Sequence, residues 1–333
     1  MIKRPSFELA GVSVEPASRK TINIPVSTLS DHTPVTLSVH VIHGRNEGPV
    51  MFISAGIHGN EVIGVEIVRR LLRTKNFKSL RGTLIVVPIV NTFGFLNHSR
   101  YLPDRRDLNR CFPGSADGSL GSRLAHIFMN EIVAQCSLGI DLHSAAINRM
   151  NLPQIRVSAN NHETLRLAHV FGAPVILTSA LRDGSLRQEA KRIGVDVILY
   201  EAGEGMRFDE MSVRAGLAGI LRVLKDVGLL PLAGIAGPKA RSIVCADSHW
   251  QRAPAGGLLR MFKAEGDVVE VGDVLAAISD PFGQSETEVK ARYSGIIVGR
   301  AVMPIVHEGD ALFHVAAVKS GDVAEAAVDD LAT

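Results

Sequence analysis

The stretch that most constrains the fold is VMFISAGIHGNEVIGVEIVRRLL, which runs from Val50 to Leu72. Its first residues are apolar and predict a buried strand, and the apolar spacing after Glu61 predicts an amphipathic helix. Gly56 marks the turn between them. His58 and Glu61 therefore stand three residues apart at a loop-to-helix junction, where both side chains can converge on a metal ion. The alternative is an ordinary helix start, at which the glutamate favours the positive end of the helix dipole.

The overall composition excludes several classes of partner. With 36 basic and 34 acidic residues the formal net charge is +2, which gives no electrostatic case for nucleic acid or for an anionic membrane. Cys111, Cys136 and Cys245 cannot all pair, and their spacing fits neither a zinc knuckle nor a disulfide framework. The N-terminus has no apolar core of signal-peptide length, and the apolar stretch 229–237 is short and interrupted by Pro231. We expect a soluble, cytoplasmic protein without a membrane partner.

Apolar strand candidates alternate with helical stretches between residues 50 and 227. The strand candidates are 50–55, 83–90, 138–142, 174–178 and 195–200, and the helical stretches lie near 60–74, 119–136, 161–171 and 209–227. This rhythm predicts an α/β fold with a mostly parallel or mixed sheet covered by helices. Residues 35–41 alternate apolar and polar and predict one earlier strand. The long aperiodic segment 91–118 contains aromatic residues and arginines, which favours a functional loop lining a site over disorder.

The C-terminal part has a different pattern. After a linker, PLAGIAGP (231–238), short strand candidates are separated by Gly-Asp turns, and residues 257–278 form a weak repeat with 295–315. A duplicated set of short strands predicts a small, quasi-symmetric β-barrel or sandwich. The resulting division is 1–235 for an α/β domain with an N-terminal β extension, 236–320 for a β-rich domain, and 321–333 for a tail.

Two further segments place polar side chains at the ends of predicted strands. In LGIDLHSA, His143 ends a strand, and Asp141 shares its side of that strand. Asp141 either orients a metal ligand or is a solvated or capping aspartate. In DVILYEAGEG, Glu201 ends another strand, where a carboxylate near a metal can act as a general acid and base. Glu204 could have this role instead, or both could be solvated loop acids.

The long loop contains RYLPDRRDLNRCFPG. Asn109 and Arg110 suit a carboxylate, because a guanidinium can bind both carboxylate oxygens. Composition alone leaves every arginine of this loop open as a solvated surface residue.

Four segments in this order, HGNE (58–61), DLNRCFPG (107–114), DLHS (141–144) and YEAG (200–203), resemble the succinylglutamate desuccinylase and aspartoacylase family, which is related to the zinc carboxypeptidases. The resemblance covers roughly residues 50–224. It implies a zinc-carboxypeptidase-like mixed sheet flanked by helices and one zinc ion per chain. The implied zinc ligands are His58, Glu61 and His143, with water at the fourth position.

The same resemblance assigns the other roles. It implies Glu201 as general acid and base, and Asn109 with Arg110 as the clamp for the substrate's α-carboxylate. It also implies Arg100 as the residue that steadies the carbonyl oxygen of the scissile amide. The spacing from Arg100 to DLNR is longer here than in aspartoacylase, so Arg105 or Arg106 remains an alternative for this last role.

The C-terminal part resembles a lipoyl or biotinyl carrier domain in its Gly-Asp turns and its duplication. Carrier domains present a modified lysine on the hairpin between the two halves, and the corresponding segment 279–288 contains none. The first lysine, Lys290, lies where the next strand begins. We therefore expect an unmodified domain with a role in packing, in assembly or in shaping the mouth of the site.

The implied activity is hydrolysis of the amide bond of an N-acyl amino acid or a close derivative, a small-molecule substrate. Alternatives are a metallocarboxypeptidase acting on peptides and a non-catalytic binding protein; the sequence leaves a homo-oligomer open. Family members with this layout include deacetylases of N-acetyl-diaminobutyrate. Candidate groups for a second substrate carboxylate are Arg187 and Arg192, and those for a side-chain amine are Asp183 and Glu204.

Overall fold

The computed structural model of the chain describes residues 4–231, 234–238 and 240–318, so the predicted tail 321–333 lies outside the described residues. The β-strands are, in chain order, β1 (Phe7–Leu9), β2 (Val12–Val14), β3 (Ser18–Thr28), β4 (Pro34–His43), β5 (Asn46–Ala55), β6 (Arg81–Val87), β7 (Leu138–His143), β8 (Arg149–Val157), β9 (Val175–Thr178), β10 (Asp196–Gly203), β11 (Ile243–Cys245), β12 (Ser248–Arg252), β13 (Gly257–Met261), β14 (Val268–Val269), β15 (Val274–Ser279), β16 (Glu286–Lys290), β17 (Gly295–Ala301), β18 (Ile305–Val306) and β19 (Ala311–Ala316). The α-helices are α1 (Ile63–Leu72), α2 (Thr92–Leu96), α3 (Leu120–Ile127), α4 (His162–Phe171), α5 (Leu186–Arg192) and α6 (Glu210–Asp226). Shorter 3₁₀ or π turns lie at Lys75–Ser79, Leu108–Arg110, Phe128–Ile132 and Val133–Gln135.

The predicted alternation of strands and helices is confirmed. The five strand candidates correspond to β5, β6, β7, β9 and β10, and the four helical stretches contain α1, α3, α4 and α6. The alternating segment 35–41 lies within β4. Between residues 50 and 227, the strand β8 and the helices α2 and α5 have no counterpart among the predicted elements.

A single large mixed sheet organises the fold. Its main strand order is β12-β19-β17-β8-β10-β7-β5-β6-β4-β3. The central strands β6, β5, β7 and β10 are parallel, and β4 and β8 flank them antiparallel. One hydrophobic cluster packs α1, α4 and α6 on one face of this sheet, and a second packs α3 and α5 on the other. The predicted α/β class with helices flanking a mixed sheet is therefore confirmed.

The parallel strands β5, β7 and β10 end at the same edge of the sheet, which brings the residues at and after their ends together. His143 is the last residue of β7, and it lies opposite Glu201 in the β7–β10 ladder. After β5 the chain turns at Gly56, whose φ of +64° is a left-handed conformation that favours glycine. This turn returns His58 toward the same edge.

The C-terminal strands are duplicated as predicted. The first repeat forms β13, β14 and β15, and the second forms β17, β18 and β19. The short middle strand of each repeat pairs with the first strand of the other, β14 with β17 and β18 with β13, which makes the unit quasi-symmetric. A separate hydrophobic cluster, including the fully buried Leu275 and Phe313, fills the space between the strands.

This small β unit is continuous with the main sheet. Strand β17 pairs with β8, with Gly299 opposite Asn151, and the side-chain amide of Gln154 on β8 donates to the carbonyl oxygen of Val298. The unit therefore extends the sheet that carries the site. None of the helices within the described residues is long and apolar enough to span a membrane.

Candidate active site

The two histidines and the glutamate predicted as metal ligands meet in one buried group. One donor atom from each of His58, Glu61 and His143 lies within 4.8 Å of the other two. Nδ1 of His58 lies 2.7 Å from Oε1 of Glu61, and Nδ1 of His143 lies 2.8 Å from Oε2. All three residues are at most 4% exposed. Both imidazoles thus direct the same ring nitrogen at one carboxylate.

A tight turn before α1 brings His58 and Glu61 together. The amide of Glu61 donates to the carbonyl oxygen of His58 at 3.1 Å, so both residues precede the helix. Gly59 lies between them against the backbone of Gly94 and Phe95, where a Cβ would come within 1.9 Å of the Gly94 carbonyl carbon. Only glycine fits this close approach, which explains its place in HGNE.

The outer nitrogen of each imidazole faces a carboxylate from elsewhere in the chain. Nε2 of His58 donates to Oδ1 of Asp107 at 3.0 Å, and Nε2 of His143 donates to Oδ2 of Asp141 at 2.8 Å. The Ser54 hydroxyl in turn donates to the other oxygen of Asp141 at 2.7 Å. Carboxylates in this position fix the tautomer and orientation of a metal-binding histidine. Asp141 is therefore a buried partner of the His143 imidazole, and not a solvated or capping aspartate.

The electrostatics of the group reflect its close pairing. Burial by itself would raise the pKa of Glu61, but His58 and His143 outweigh it and hold the pKa well below its usual range. Burial would lower the pKa of the two imidazoles, yet the neighbouring carboxylates raise both. Protons and a metal cation therefore compete for the same donor atoms of this group.

The donor set fits zinc. Two imidazole nitrogens and one carboxylate, with the opposite ring nitrogens engaged by Asp107 and Asp141, match the three-ligand arrangement of catalytic zinc sites. A negative charge on Glu61 and the two carboxylates behind the rings would offset the charge of a divalent cation. The residues present are thus suitable to hold one metal ion.

A cleft of about 140 Å³ lies beside this group. Among the residues that line it are Glu201, Arg156 and Leu199, in addition to the metal-site residues. The carboxylate of Glu201 is 17% exposed, and its Oε2 lies 2.5 Å from Nε of Arg156. The two groups form an ion pair in which the Arg156 Nε does not make a directed hydrogen bond.

The long loop supplies three of the predicted residues to the cleft. Arg100 donates to Oε1 of Glu61 and to Oδ2 of Asp107, both at 3.1 Å. Asn109 is buried, and its Oδ1 accepts from the amide of Leu186 at 2.9 Å, which leaves its amide nitrogen available. Arg110 lines the cleft and donates to the carbonyl oxygen of Asn109. The loop therefore lies where its composition predicts.

The two alternatives to Arg100 lie elsewhere. Arg105 is exposed, with a φ of +61°, and Arg106 is an exposed residue that pairs with Asp104. Neither belongs to the residues that line the cleft.

The structure adds residues that the sequence did not single out. Asp107 joins His58 to Arg100, and these two neighbours hold its pKa below the usual range although burial would raise it. The sequence feature that could have identified Asp107 is its position two residues before Asn109, in the segment DLNR. Arg156 comes from β8, for which no sequence pattern was recognised.

Arg187, one of the two candidates for holding a second substrate carboxylate, does line the cleft. Its Nη2 donates to the hydroxyl of Ser179 at 3.2 Å, whereas its buried Nη1 has no hydrogen-bond partner among the described residues. Burial and the positive charge of Arg156 lower the pKa of Arg187 to about 10, although Glu201 and Asp141 act in the opposite direction. An anion in the cleft would satisfy this guanidinium.

The remaining candidates lie outside the cleft lining. Arg192 pairs with Glu189 on α5, and Asp183 accepts from the side chain of Gln188. Glu204 is buried, pairs with Arg207, and accepts from the amide of Asn148. Its carboxylate therefore joins two loops.

The mixed sheet and the buried His-Glu-His group at the carboxyl ends of its strands define an α/β protein with a candidate catalytic metal centre. The family model described as succinylglutamate desuccinylase/aspartoacylase catalytic domain matches residues 47–227. The chain belongs to this succinylglutamate desuccinylase/aspartoacylase family.

Individual relatives agree with this assignment. The chain is 26% identical over 313 residues to N-alpha-acetyl-L-2,4-diaminobutyric acid deacetylase of Halomonas elongata, which covers 89% of this chain and 90% of the relative. It is 31% identical over 119 residues to succinylglutamate desuccinylase of Pseudomonas aeruginosa, covering 33% and 35%. A crystal structure of a succinylglutamate desuccinylase/aspartoacylase from Rhodobacter sphaeroides superposes with a TM-score of 0.80 at 25% identity, covering 90% of this chain and 96% of that one. The product-bound ectoine utilization protein EutE (DoeB) of Ruegeria pomeroyi, at 23% identity with the same TM-score and coverage of 90% and 94%, shares the fold.

Proposed function

We propose that the protein is a zinc-dependent amidohydrolase that cleaves the amide bond of an N-acyl amino acid, releasing a free amine and a carboxylate. The observation that supports this most strongly is that His58, Glu61, His143, Glu201 and Arg110 all line one cleft. The relatives named as a deacetylase and as desuccinylases support the same class of reaction.

Each residue has a role in this reaction. Zinc bound by His58, Glu61 and His143 would act as a Lewis acid and lower the pKa of a water molecule to about 7. Glu201 would accept the proton that the water loses as it attacks the amide carbon, and deliver it to the nitrogen as the C–N bond breaks. Proton transfer of this kind contributes about 10²–10⁴-fold to the rate.

The long loop would bind and polarise the substrate. Arg110 offers a guanidinium to the α-carboxylate, and Asn109 can add its amide N–H because its Oδ1 is already engaged. Arg100, held beside Glu61, would face the carbonyl oxygen of the amide as negative charge develops on it. A donor in that position typically contributes about 3 kcal/mol to the stability of the transition state.

The charge of the cleft indicates a substrate with a second carboxylate. Five arginines line the cleft, Arg100, Arg110, Arg156, Arg182 and Arg187, against the two glutamates Glu61 and Glu201. The Nη1 of Arg187 is buried without a partner within the described part of the chain, and leaving a charged donor unsatisfied is costly. A carboxylate on the side chain or on the acyl group would satisfy it.

A cationic side chain, such as that of diaminobutyrate, has less support. Such a substrate needs an acid facing its amine, and neither Asp183 nor Glu204 lines the cleft. Both carboxylates are engaged by neighbouring groups. We therefore propose that this chain differs in substrate charge from the relative named as a diaminobutyric acid deacetylase.

The two alternative functions make different demands on the cleft. Its volume of about 140 Å³ is small beside the roughly 300–1,000 Å³ of pockets for drug-sized ligands, which disfavours a carboxypeptidase that accepts a peptide. A non-catalytic binding protein would be expected to lack a ligand or the base, and this chain has His58, Glu61, His143 and Glu201 in place.

For the chain as a whole we propose the division 1–235 for the hydrolase domain and 236–320 for a lipoyl-like domain without a modified lysine. The repeats and their reciprocal strand pairing support the second assignment. The turn between β15 and β16, Asp280–Ser285, contains no lysine, and Lys290 at the end of β16 pairs with Glu288.

A hydrolysis screen tests the proposed function. The purified protein, with its metal content measured on the same sample, is incubated with acetyl, succinyl and formyl derivatives of acidic, neutral and basic amino acids, and with short peptides. We expect activity on derivatives that carry a second carboxylate. Activity confined to peptides would favour the carboxypeptidase, and metal-loaded protein that hydrolyses none of these compounds would contradict the proposal.

A further inference from the structure

Arg156 reaches Glu201 from the neighbouring strand. In the antiparallel ladder of β8 and β10, Arg156 lies opposite Leu199, and Glu201 is two residues further along β10. Side chains two apart on a strand point to the same face of the sheet, and a diagonal neighbour is within reach of a long side chain. The Arg156 guanidinium consequently lies over the cleft against the Glu201 carboxylate, with Nε 2.5 Å from Oε2.

The strand that carries Arg156 is held on both edges. On one edge β8 pairs with β10, and on the other it pairs with β9 and, at its start, with β17 of the C-terminal unit. The side chain of Gln154, two residues before Arg156, donates to the carbonyl oxygen of Val298 at 3.0 Å. The backbone of Arg156 is therefore held in a fixed position relative to Glu201.

Glu201 has little else to hold its carboxylate. Within residues 4–231, 234–238 and 240–318, Arg156 is the one residue that forms a close ion pair with it, and Arg187 acts on it coulombically from a greater distance. The side chain is partly exposed and stands at the carboxyl end of β10, where three torsion angles would otherwise be free to turn it. A general acid and base must stay within hydrogen-bond reach of the atoms between which it moves a proton.

We propose that Arg156 is a positioning residue for Glu201, and that its charge holds the carboxylate in the orientation needed for proton transfer. This inference rests on the proposed function of Glu201. Because Nε of Arg156 makes no directed hydrogen bond within this ion pair, an ammonium group should replace the guanidinium in part. A residue that contacted the substrate through both guanidinium donors would not tolerate that change.

The test compares kcat and KM of the wild type, Arg156→Gln, Arg156→Lys, Glu201→Gln and the double variant Arg156→Gln/Glu201→Gln, each with its metal content measured. We expect Arg156→Gln to lower kcat by about 10- to 100-fold with KM changed less than about threefold. Arg156→Lys should recover most of the loss. In the Glu201→Gln background the loss of Arg156 should have no further effect on kcat, since residues that act as a unit are not additive.

Arg149→Gln is the matched control, because it removes the same charge from the same strand outside the cleft, where Arg149 donates to the carbonyl oxygen of Ala311. An equal fall in kcat for Arg149→Gln would show that the effect comes from the loss of net charge or from a disturbance of strand β8, and it would overturn the inference. So would a raised KM with unchanged kcat in Arg156→Gln, or a further loss in the double variant. A wild type inactive on every N-acyl amino acid would overturn the proposed function itself, and the inference with it.

Discussion

Asp141 and His143 lie two residues apart on β7, and Nε2 of the imidazole donates to Oδ2 of the carboxylate at 2.8 Å. Alternate residues of a strand share a face, so the sequence Asp-Leu-His places both groups on the side of the cleft. The Ser54 hydroxyl fixes the other oxygen of Asp141. As a result, the imidazole has one orientation, with Nδ1 facing Glu61 and available to a metal ion.

The first prediction concerns this pair. Asp141→Asn keeps the shape but removes the charge that makes the imidazole a better ligand, so we expect metal affinity to fall by about 10- to 100-fold. Competition with a chromophoric chelator measures it. Asp183→Asn, which changes a carboxylate outside the cleft lining, is the control and should keep wild-type affinity. Equal affinities in the wild type and Asp141→Asn would show that the pair does not support metal binding.

The second prediction separates the two candidate bases. Glu201→Gln should retain its metal but lose about 10²–10⁴-fold in kcat, because the amide cannot accept the proton of the attacking water. Glu204 joins two loops through Asn148 and Arg207, so Glu204→Gln should keep kcat within about tenfold of the wild type. Steady-state kinetics on metal-loaded samples distinguish the two. The opposite ranking would assign the proton transfer to Glu204.

The third prediction concerns substrate charge. Arg187→Met should raise KM by about 10- to 100-fold for substrates with a second carboxylate, since a charge-assisted hydrogen bond is worth roughly 1.5–3 kcal/mol. It should leave KM nearly unchanged for N-acyl derivatives of neutral amino acids. Arg110→Ala, by contrast, should raise KM for both kinds of substrate, because every one carries the α-carboxylate. A uniform effect of Arg187→Met would remove the case for a second carboxylate subsite.

The parts of the site that the sequence predicted share one property. His143 ends an apolar strand, Glu201 lies two residues before the end of another, and His58 follows a third after a single turn, so the pattern of the strands also locates the polar residues near their ends. Asn109 and Arg110 have no such anchor: their chemistry suits a carboxylate, but the resemblance to the family was needed to distinguish them from solvated residues of the loop. Their position in the cleft depends on contacts with the start of α5, such as the hydrogen bond from the amide of Leu186 to the side chain of Asn109.

The sequence did not reveal Arg156, and it did not distinguish Arg187 from Arg192, because the elements that carry Arg156 and Arg187 do not follow the usual periods. Strand β8 buries Asn151 and Gln154, and the side-chain amide of Gln154 donates to a carbonyl oxygen of β17 that lies 144 residues later in the chain. Apolar alternation is therefore broken where the sheet continues into the C-terminal unit. Helix α5 is only seven residues long, too short for a clear helical period.

The last prediction concerns acid stability and lies outside the metal group. His314 is 7% exposed, its ring stacks on Trp250, and its Nε2 lies 2.9 Å from the Ser248 hydroxyl. Burial, with the positive charges of Arg156 and His249, lowers the pKa of His314 from 6.5 to about 4. The unfolded chain therefore binds a proton at a higher pH than the folded chain does.

In consequence, protonation of this histidine does not reduce the free energy of unfolding above about pH 6.5. As the pH drops from 6.5 toward 4, the free energy of unfolding falls by at most about 3 kcal/mol. His314→Gln should lack this part of the pH dependence, whatever its stability at neutral pH. Urea unfolding of the metal-free proteins between pH 7.5 and 4 measures the difference, with the exposed His307→Gln as a control that should follow the wild type. A difference between the wild type and His314→Gln that stays constant across this range would mean that the folded protein accommodates a charged imidazole at this position.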